Sequence, residues 1–223
     1  MNITEVRHQS WAGLLNIFYI CLNCDHVASQ GLLLGYQCKI CGHSGVRMFY
    51  SVVISSLIDS IQDFYFISNK RKTKEDTAAI TIQTNPQTVI PLLFCTLADV
   101  ILEDFLRTLM RKQGLSQPVA DRLLSDHLTG KRRRECLFPV LTGCKWKAAL
   151  ETLSSPLEPN FNSTFDFYLE VNKARNQFLH DGVPWAIKTT HPQGCINHIW
   201  PLLKLFVSLH NKFVCVLHPS GNL

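Results

Sequence analysis

The chain has 223 residues, of which 46% are hydrophobic and 17% are charged, and this composition excludes an intrinsically disordered polymer. It contains 22 Lys and Arg residues against 17 Asp and Glu residues, a formal charge of +5. This charge mildly favours an anionic partner, but it does not by itself identify nucleic acid as that partner.

The N-terminal residues show no secretory signal peptide. The apolar stretch at residues 14–20 follows Glu5, Arg7 and His8 and lacks a small-residue cleavage site. No uninterrupted apolar run reaches the roughly 18 residues that a membrane-spanning helix needs. We therefore expect a soluble, cytoplasmic protein that does not bind membranes.

Two cysteine pairs dominate the first segment, residues 1–46. The stretches CLNC at 21–24 and CKIC at 38–41 have two residues between their cysteines, a spacing that lets a tight turn direct both sulfurs at one ion. Short apolar stretches, LLNIFYI and GLLLGY, run into these pairs and suit β-structure. The segment resembles a zinc ribbon with one Zn²⁺ per chain, and its expected ligands are Cys21, Cys24, Cys38 and Cys41.

A site with four thiolates leaves no coordination position open for water, so we expect the zinc to be structural. Gly42 suits a turn that needs an unusual backbone angle. His26 and His43 each follow a cysteine pair by two residues, and they could replace a ligand or lie outside the coordination shell. The five remaining cysteines are expected to be reduced core residues: Cys95, Cys136, Cys144, Cys195 and Cys215.

The rest of the chain has the apolar periodicity of amphipathic helices. We expect a helix at residues 47–66, and a charged, Thr-rich linker that extends to residue 87. Further helices are expected at residues 88–111, 116–128, 144–153, 164–180 and 197–216, with a helical or irregular segment at 130–143. The predicted fold is mainly α: an all-α helical bundle at residues 88–223, preceded by the small β zinc ribbon.

Two charged groups lie on these predicted helices. Glu103 and Arg107 are four residues apart and are expected to form a surface ion pair. The basic tract, residues 131–134, is either a phosphate-binding surface or a solvated run of charge. Its members are Lys131, Arg132, Arg133 and Arg134.

The stretch RNQFLH at residues 175–180 lies near the end of a predicted helix. This R-N-x3-H pattern resembles the R-x4-6-H signature of the HEPN superfamily (higher eukaryotes and prokaryotes nucleotide-binding). The upstream stretch LADVILEDFLRTLM at residues 97–110 is similar to the early helix that such domains pack against the motif helix. The resemblance covers roughly residues 90–217.

The resemblance implies a metal-independent endoribonuclease of the toxin or defence type, active as a homodimer in which the two motifs face each other. A toxin would also require a neutralising antitoxin. RNA cleavage without metal needs a base for the 2'-hydroxyl proton, a cation for the phosphorane-like transition state and an acid for the leaving 5'-oxygen. His180 is the expected base or acid, Arg175 the phosphate-binding cation and Asn176 the residue that orients His180 or donates to phosphate.

Helix geometry limits how these three residues act together. At about 100° per residue, Asn176 and His180 share a face, whereas Arg175 and His180 are about 140° apart. Arg175 must reach around the helix, the helix must distort, or a second subunit must complete the site. His180 is expected in the last helical turn, where the helix dipole favours the protonated imidazole.

Two other interpretations remain open at this point. Arg175 would pair with a carboxylate and His180 would cap helix carbonyls if both were ordinary polar residues of a helix end. The second interpretation is that the chain is a non-catalytic zinc-ribbon adaptor, whose helical domain dimerises and binds protein, nucleotide or nucleic acid. In either case the expected organisation is a zinc ribbon at 1–46, a helix and linker at 47–87, and a HEPN-like helical domain at 88–223.

Overall fold

A three-stranded antiparallel sheet forms the N-terminal part of the computed structural model, which describes residues 18–29, 37–72, 86–153 and 160–215. The strands are β1 (Phe18–Cys21), β2 (Val27–Ser29) and β3 (Val46–Met48), and β1 lies between the other two. Tyr19 of β1 lies opposite Ala28 of β2 and Met48 of β3. The expected GLLLGY stretch lies outside the described residues.

Helices make up most of the remaining structure, so the prediction of a mainly α fold with a small N-terminal β part is confirmed. The two long N-terminal helices are α1 (Val52–Lys72) and α2 (Pro86–Lys112). The shorter elements that follow are α3 (Gln117–Asp126), α4 (Gly130–Arg132), a π-helical turn (Arg133–Leu137), α5 (Phe138–Thr142) and α6 (Trp146–Leu153). The chain continues with α7 (Phe161–His180), a 3-10 turn (Pro184–Ala186) and α8 (His191–Phe213).

The start of α1 differs from the prediction of a helix at residues 47–66. Arg47 and Met48 pair with β1 as part of β3, and the helix begins only at Val52. It then continues to Lys72, six residues past the predicted end at residue 66. The backbone groups of residues 46–48 find partners on an exposed strand edge, and this tertiary pairing overrides the local helical pattern. Most of the expected linker, residues 73–85, lies outside the described residues.

The core is built around α2, which packs against α1, α7 and α8. Ile90, Phe94 and Leu97 of α2 are completely buried. Phe18, Ile20 and Val27 of the sheet belong to the same continuous apolar cluster as the helices. The sheet is therefore packed onto the helical body and shares its core.

Polar contacts also hold the sheet against the end of α8. The Asn211 side chain accepts a hydrogen bond from the backbone N–H of Val27 at 2.7 Å and donates one to its carbonyl at 2.8 Å. His210 Nε2 donates to the carbonyl of Asp25 at 2.9 Å, and Lys112 forms an ion pair with the Asp25 carboxylate. These bonds connect β2 and the turn between β1 and β2 to the C-terminal ends of α2 and α8.

Helix α8 begins at His191, six residues before the predicted start at 197, and Gly194 lies in its first turns. A Cβ atom at Gly194 would lie only 2.4 Å from Phe167 Cζ, so glycine permits the close approach of α7. Phe167 stacks on His198 with ring centroids 4.4 Å apart. This contact sets the position of the helix that carries the R-N-x3-H motif.

All nine cysteines lie in the described residues and are free thiols. Cys95 and Cys195 are buried in the core, as expected. The prediction of a core position is wrong for Cys136, which is exposed on the π-helical turn. None of the described helices is long and apolar enough to cross a membrane.

Candidate functional site

The four cysteines of the two pairs lie together at one end of the sheet. Their sulfur atoms are all within 4.8 Å of one another, with Cys21 and Cys41 at 3.6 Å and Cys24 and Cys38 at 3.5 Å. Tetrahedral coordination with Zn–S bonds of about 2.3 Å would place the sulfurs roughly 3.8 Å apart. The cluster could therefore hold a metal ion, and its donors and spacing are compatible with structural zinc.

Two matching turns position these sulfurs. The N–H of Asp25 donates to the carbonyl of Cys21 at 3.0 Å, and the N–H of Gly42 donates to the carbonyl of Cys38 at 2.8 Å. Both turns need a left-handed residue, with φ of 57° at Asp25 and 70° at Gly42. The expectation for Gly42 is thus confirmed, while Asp25 supplies the same conformation as one of the few non-glycine residue types that tolerate it.

Neighbouring groups shift the pKa values of two of the thiols, and neither His26 nor His43 belongs to the cluster. A backbone N–H of His43 lowers the pKa of the Cys41 thiol to about 6, whereas burial raises the pKa of Cys24 far above its ordinary value. Among the described residues, only the four cysteines form a cluster close enough to hold a metal. His26 lies outside this cluster, with Nδ1 4.0 Å from Cys215 Sγ and a pKa lowered by burial.

The R-N-x3-H motif occupies the last turns of α7, as its sequence position predicts. The side chain of Asn160 accepts a hydrogen bond from the N–H of Ser163 at the start of the helix. The helix ends at His180, followed by Asp181 as its C-cap and Gly182 in the left-handed region with φ of 64°. His180 therefore lies in the last turn of the helix, at the position that the sequence predicts.

Asn176 and His180 lie on the same outward face of α7. Together with Leu169, Lys173 and Gln177 they line a shallow, open depression. His180 is exposed, and its side chain makes no hydrogen bond or ion pair with the described part of the chain. Its imidazole is thus available to a molecule bound in the depression.

Arg175 does not line this depression. Its Nη1 lies 3.7 Å from Asp99 Oδ2 on α2 and donates a hydrogen bond to Asn172 Oδ1 at 3.4 Å. The side chain is 27% exposed, so it lies at the edge of the α7–α2 interface. Within one chain, the structure brings Asn176 and His180 together and directs Arg175 elsewhere.

A polar cluster that the sequence analysis missed lies behind Arg175. The Tyr168 hydroxyl donates to Asp99 Oδ1 at 3.1 Å and accepts a hydrogen bond from Arg134 Nη1 at 3.4 Å. A Cβ atom at Gly130 would lie 3.0 Å from both Arg134 Nη1 and Asp99 Oδ1. The signal in the sequence was Asp99, the only charged residue among residues 86–102 of α2.

The basic tract does not present one uniform surface. Lys131 and Arg132 are exposed, but Arg133 Nη1 lies 2.9 Å from Glu103 Oε2. Arg134 is 6% exposed, and its guanidinium lies 5.0 Å from the ring centroid of Phe165. The π-helical turn at residues 133–137 changes the angle between successive side chains, so the four side chains of the tract point in different directions.

The expected Glu103–Arg107 pair forms, with Arg107 Nη2 2.9 Å from Glu103 Oε1. Arg107 also contacts Asp121 of α3, and Arg133 approaches the other oxygen of Glu103. The group is therefore an ion-pair network that connects α2, α3 and the π-helical turn.

Comparison of the chain with protein-family models, with curated proteins and with solved structures found no match. Fold and site define its class: a mainly helical protein with a small antiparallel sheet and a four-cysteine cluster that could bind a metal ion.

Proposed function

We propose that the protein is a metal-independent endoribonuclease of the toxin or defence type, stabilised by one structural zinc ion. The observation that carries the proposal is the shared, open face of Asn176 and His180 at the end of α7. The resemblance of the motif to the HEPN signature and the mainly helical body support the same function.

The proposed chemistry is attack by the 2'-hydroxyl of RNA on the adjacent phosphorus. A histidine takes the hydroxyl proton as the new P–O bond forms, and the P–O5' bond then breaks as the leaving oxygen receives a proton. The products are a 2',3'-cyclic phosphate and a 5'-hydroxyl end. His180 acts as the base that accepts the 2'-hydroxyl proton or as the acid that protonates the leaving oxygen. Asn176 orients the phosphate or the imidazole, and Arg175 stabilises the negative charge that develops on the phosphoryl oxygens.

A second copy of the chain completes this site in the proposal. Arg175 and His180 point in different directions within one chain, whereas two facing α7 helices would bring the arginine of each near the histidine of the other. Exposed apolar side chains close in sequence to the motif suit such a contact: Leu169 is 41% exposed, Leu179 50% and Trp185 80%. The partly exposed Arg175–Asp99 pair is weak enough for Arg175 to exchange Asp99 for a phosphate.

Zinc and the basic tract have supporting roles in this proposal. The four cysteines would hold zinc in a closed site, so the metal stabilises the ribbon and takes no part in catalysis. Lys131 and Arg132 are the exposed cations of the tract and would contact the RNA backbone. A toxin of this kind would also bind an antitoxin protein that blocks the site.

One observation favours a second function, that of a non-catalytic zinc-ribbon adaptor. Arg175 already has a carboxylate partner, Asp99, and it faces away from His180. In an adaptor these polar residues would only stabilise the helix end, while the exposed apolar side chains would bind a second copy or another protein.

RNA cleavage in the presence of EDTA distinguishes the two functions. Zinc-loaded protein and the variants Arg175→Ala, His180→Ala and Arg122→Ala are incubated with a panel of RNAs, and the ends of the products are mapped. Arg122 is a suitable control because its side chain is 80% exposed and lies on α3. If the protein is the proposed ribonuclease, its products should carry cyclic phosphate ends. The cleavage rate should fall by about 100-fold or more in Arg175→Ala and His180→Ala but not in Arg122→Ala. Folded wild-type dimer that cleaves no RNA would favour the adaptor.

A further inference from the structure

A cleft of about 360 Å³ lies between the ribbon and the helical body. Residues of β3 and the start of α1 form one wall, and the C-terminal half of α2 forms the other. Its volume is at the lower end of the range for small-molecule sites, roughly 300–1,000 Å³. No α7 residue lines it, so the cleft is separate from the proposed catalytic surface.

The floor of the cleft is apolar and its polar atoms are already bonded. Phe105 and Phe206 are buried there, and the half-buried ring of Phe49 lies beside them. The Tyr50 hydroxyl donates to the carbonyl of Leu203 at 2.5 Å, and His210 Nε2 is bound to the carbonyl of Asp25. This floor suits a planar apolar group better than a charged one.

The rim of the cleft carries the charge. Arg47 is exposed and forms no ion pair with the described residues, and Arg111 donates only to the neutral hydroxyl of Thr108, at 3.1 Å. The third rim arginine, Arg107, is neutralised by Glu103 and Asp121. Two guanidinium groups thus remain available for an anion, next to the carboxylate of Asp104.

We propose that this cleft binds one nucleoside monophosphate unit, either free or at the end of an RNA strand. Arg47 and Arg111 offer planar donor pairs that match phosphate oxygens. The aromatic floor accepts the base, and Asp104 accepts a hydrogen bond from a ribose hydroxyl. An anion without a sugar would bring a negative charge near Asp104 and offer its carboxylate no hydrogen-bond donor. A nucleotide supplies both the phosphate for the two arginines and a hydroxyl for Asp104.

Calorimetric titration of the zinc-loaded full chain tests this proposal. The probes are the four ribonucleoside 5'-monophosphates, 2'-deoxyadenosine monophosphate, inorganic phosphate, and a short RNA with or without a 5'-phosphate. We expect at least one monophosphate to bind, and Arg47→Gln or Arg111→Gln to weaken that binding about tenfold. Asp104→Leu, which has no side-chain acceptor for the 2'-hydroxyl, should remove the preference for ribose over deoxyribose. The exposed Arg122→Gln is the matched control and should bind like wild type.

The two sources of the nucleotide give different results. Tight binding of the free monophosphates identifies a small-molecule ligand, whereas binding of only the phosphorylated RNA identifies a strand end. The proposal is overturned if no monophosphate and no phosphorylated RNA binds at millimolar concentration, if inorganic phosphate binds as tightly as the monophosphates, or if binding is unchanged in both arginine variants. No residue of the R-N-x3-H motif lines the cleft, so His180→Ala should bind the free monophosphates like wild type. This binding is expected even if the proposed ribonuclease activity is absent.

Discussion

Arg175 Nη1 and Asp99 Oδ2 lie 3.7 Å apart across the interface of α7 and α2. The first residue of the motif is therefore directed at the body of its own chain, while His180, five positions later, faces solvent. This arrangement has a direct consequence for how the motif can work, because one chain does not present both side chains to the same bound molecule.

Mixing two inactive variants should restore activity if the site is composite. Arg175→Ala and His180→Ala each lack one group, but a mixed dimer has one site with the arginine of one chain and the histidine of the other. Random exchange of subunits should give about a quarter of wild-type cleavage, because half the dimers are mixed and each has one of two sites intact. Activity is measured after the variants are mixed and allowed to exchange.

The control for this experiment is a double variant, Arg175→Ala with His180→Ala, mixed with wild type. Every dimer of wild type with the double variant lacks both intact sites, so adding an equal amount of the double variant should lower the activity of the wild-type chains to about half. A mixture of the single variants that forms mixed dimers and remains inactive would show that both groups act from one chain.

Gly130→Ala should destabilise the fold, although alanine usually stabilises a helix relative to glycine by about 1 kcal/mol. The new Cβ atom would lie 3.0 Å from Arg134 Nη1 and Asp99 Oδ1 and would disturb the buried polar cluster. We expect a loss of about 1–2 kcal/mol in the free energy of unfolding, measured by urea denaturation. Arg134→Met removes one of the obstructing groups, so the two changes together should destabilise less than their sum. Strict additivity would contradict this explanation.

Cys24→Ser should abolish stoichiometric zinc binding and loosen the end of α8. Cys24 is fully buried among the other three sulfurs, and the ribbon contacts α8 through Asn211 and His210. We expect less than one zinc per chain by elemental analysis and faster amide exchange around residues 205–213. Cys136→Ser, at an exposed position, should retain zinc and stability. A wild-type chain without zinc, or a Cys24→Ser chain that retains it, would refute the assignment of the site.

His210 should make the protein less stable in mild acid. Burial lowers its pKa to about 4, well below the ordinary value of about 6.5. As the pH falls from 6.5 towards 4, the unfolded chain binds a proton at this position that the folded chain does not. The free energy of unfolding should therefore decrease by up to about 3 kcal/mol over this range. Above pH 6.5 the imidazole is neutral in both states, so His210 adds no pH dependence there.

The comparison for this prediction is His210→Gln, whose side-chain amide can still donate to the carbonyl of Asp25. Stability measured by urea at several pH values should depend less on pH in the variant than in wild type between pH 6.5 and 4. Zinc release in acid affects both proteins, so the difference between their curves isolates the histidine. Parallel curves would show that His210 is not the group responsible.

Several features of the site were predictable from local patterns. The spacing of the cysteine pairs predicted which four sulfurs come together, because a two-residue turn has few geometries. Gly182 predicted the end of α7 and hence the position of His180 in its last turn. The 3.6-residue period predicted that Asn176, and not Arg175, shares the face of His180.

Other features depended on contacts between residues distant in sequence. Arg134 looked like one of four equivalent cations, but the π-helical turn directs it beneath Phe165 and Tyr168. Arg47 has the local pattern of a helix and becomes a strand residue because β1 offers it a partner. No window of sequence contains these partners, so local propensity could not reveal either outcome.

The sequence by itself determined three features of this protein: a four-cysteine cluster, a mainly helical body and a histidine at a helix end. The spacing of the two cysteine pairs and the periodicity within each helix are sufficient for these features. Only the tertiary structure decided that Arg175 pairs with Asp99, and that the sheet and the helical body enclose a cleft with an arginine rim. Those relationships arise from the packing of helices and strands that are far apart in the chain.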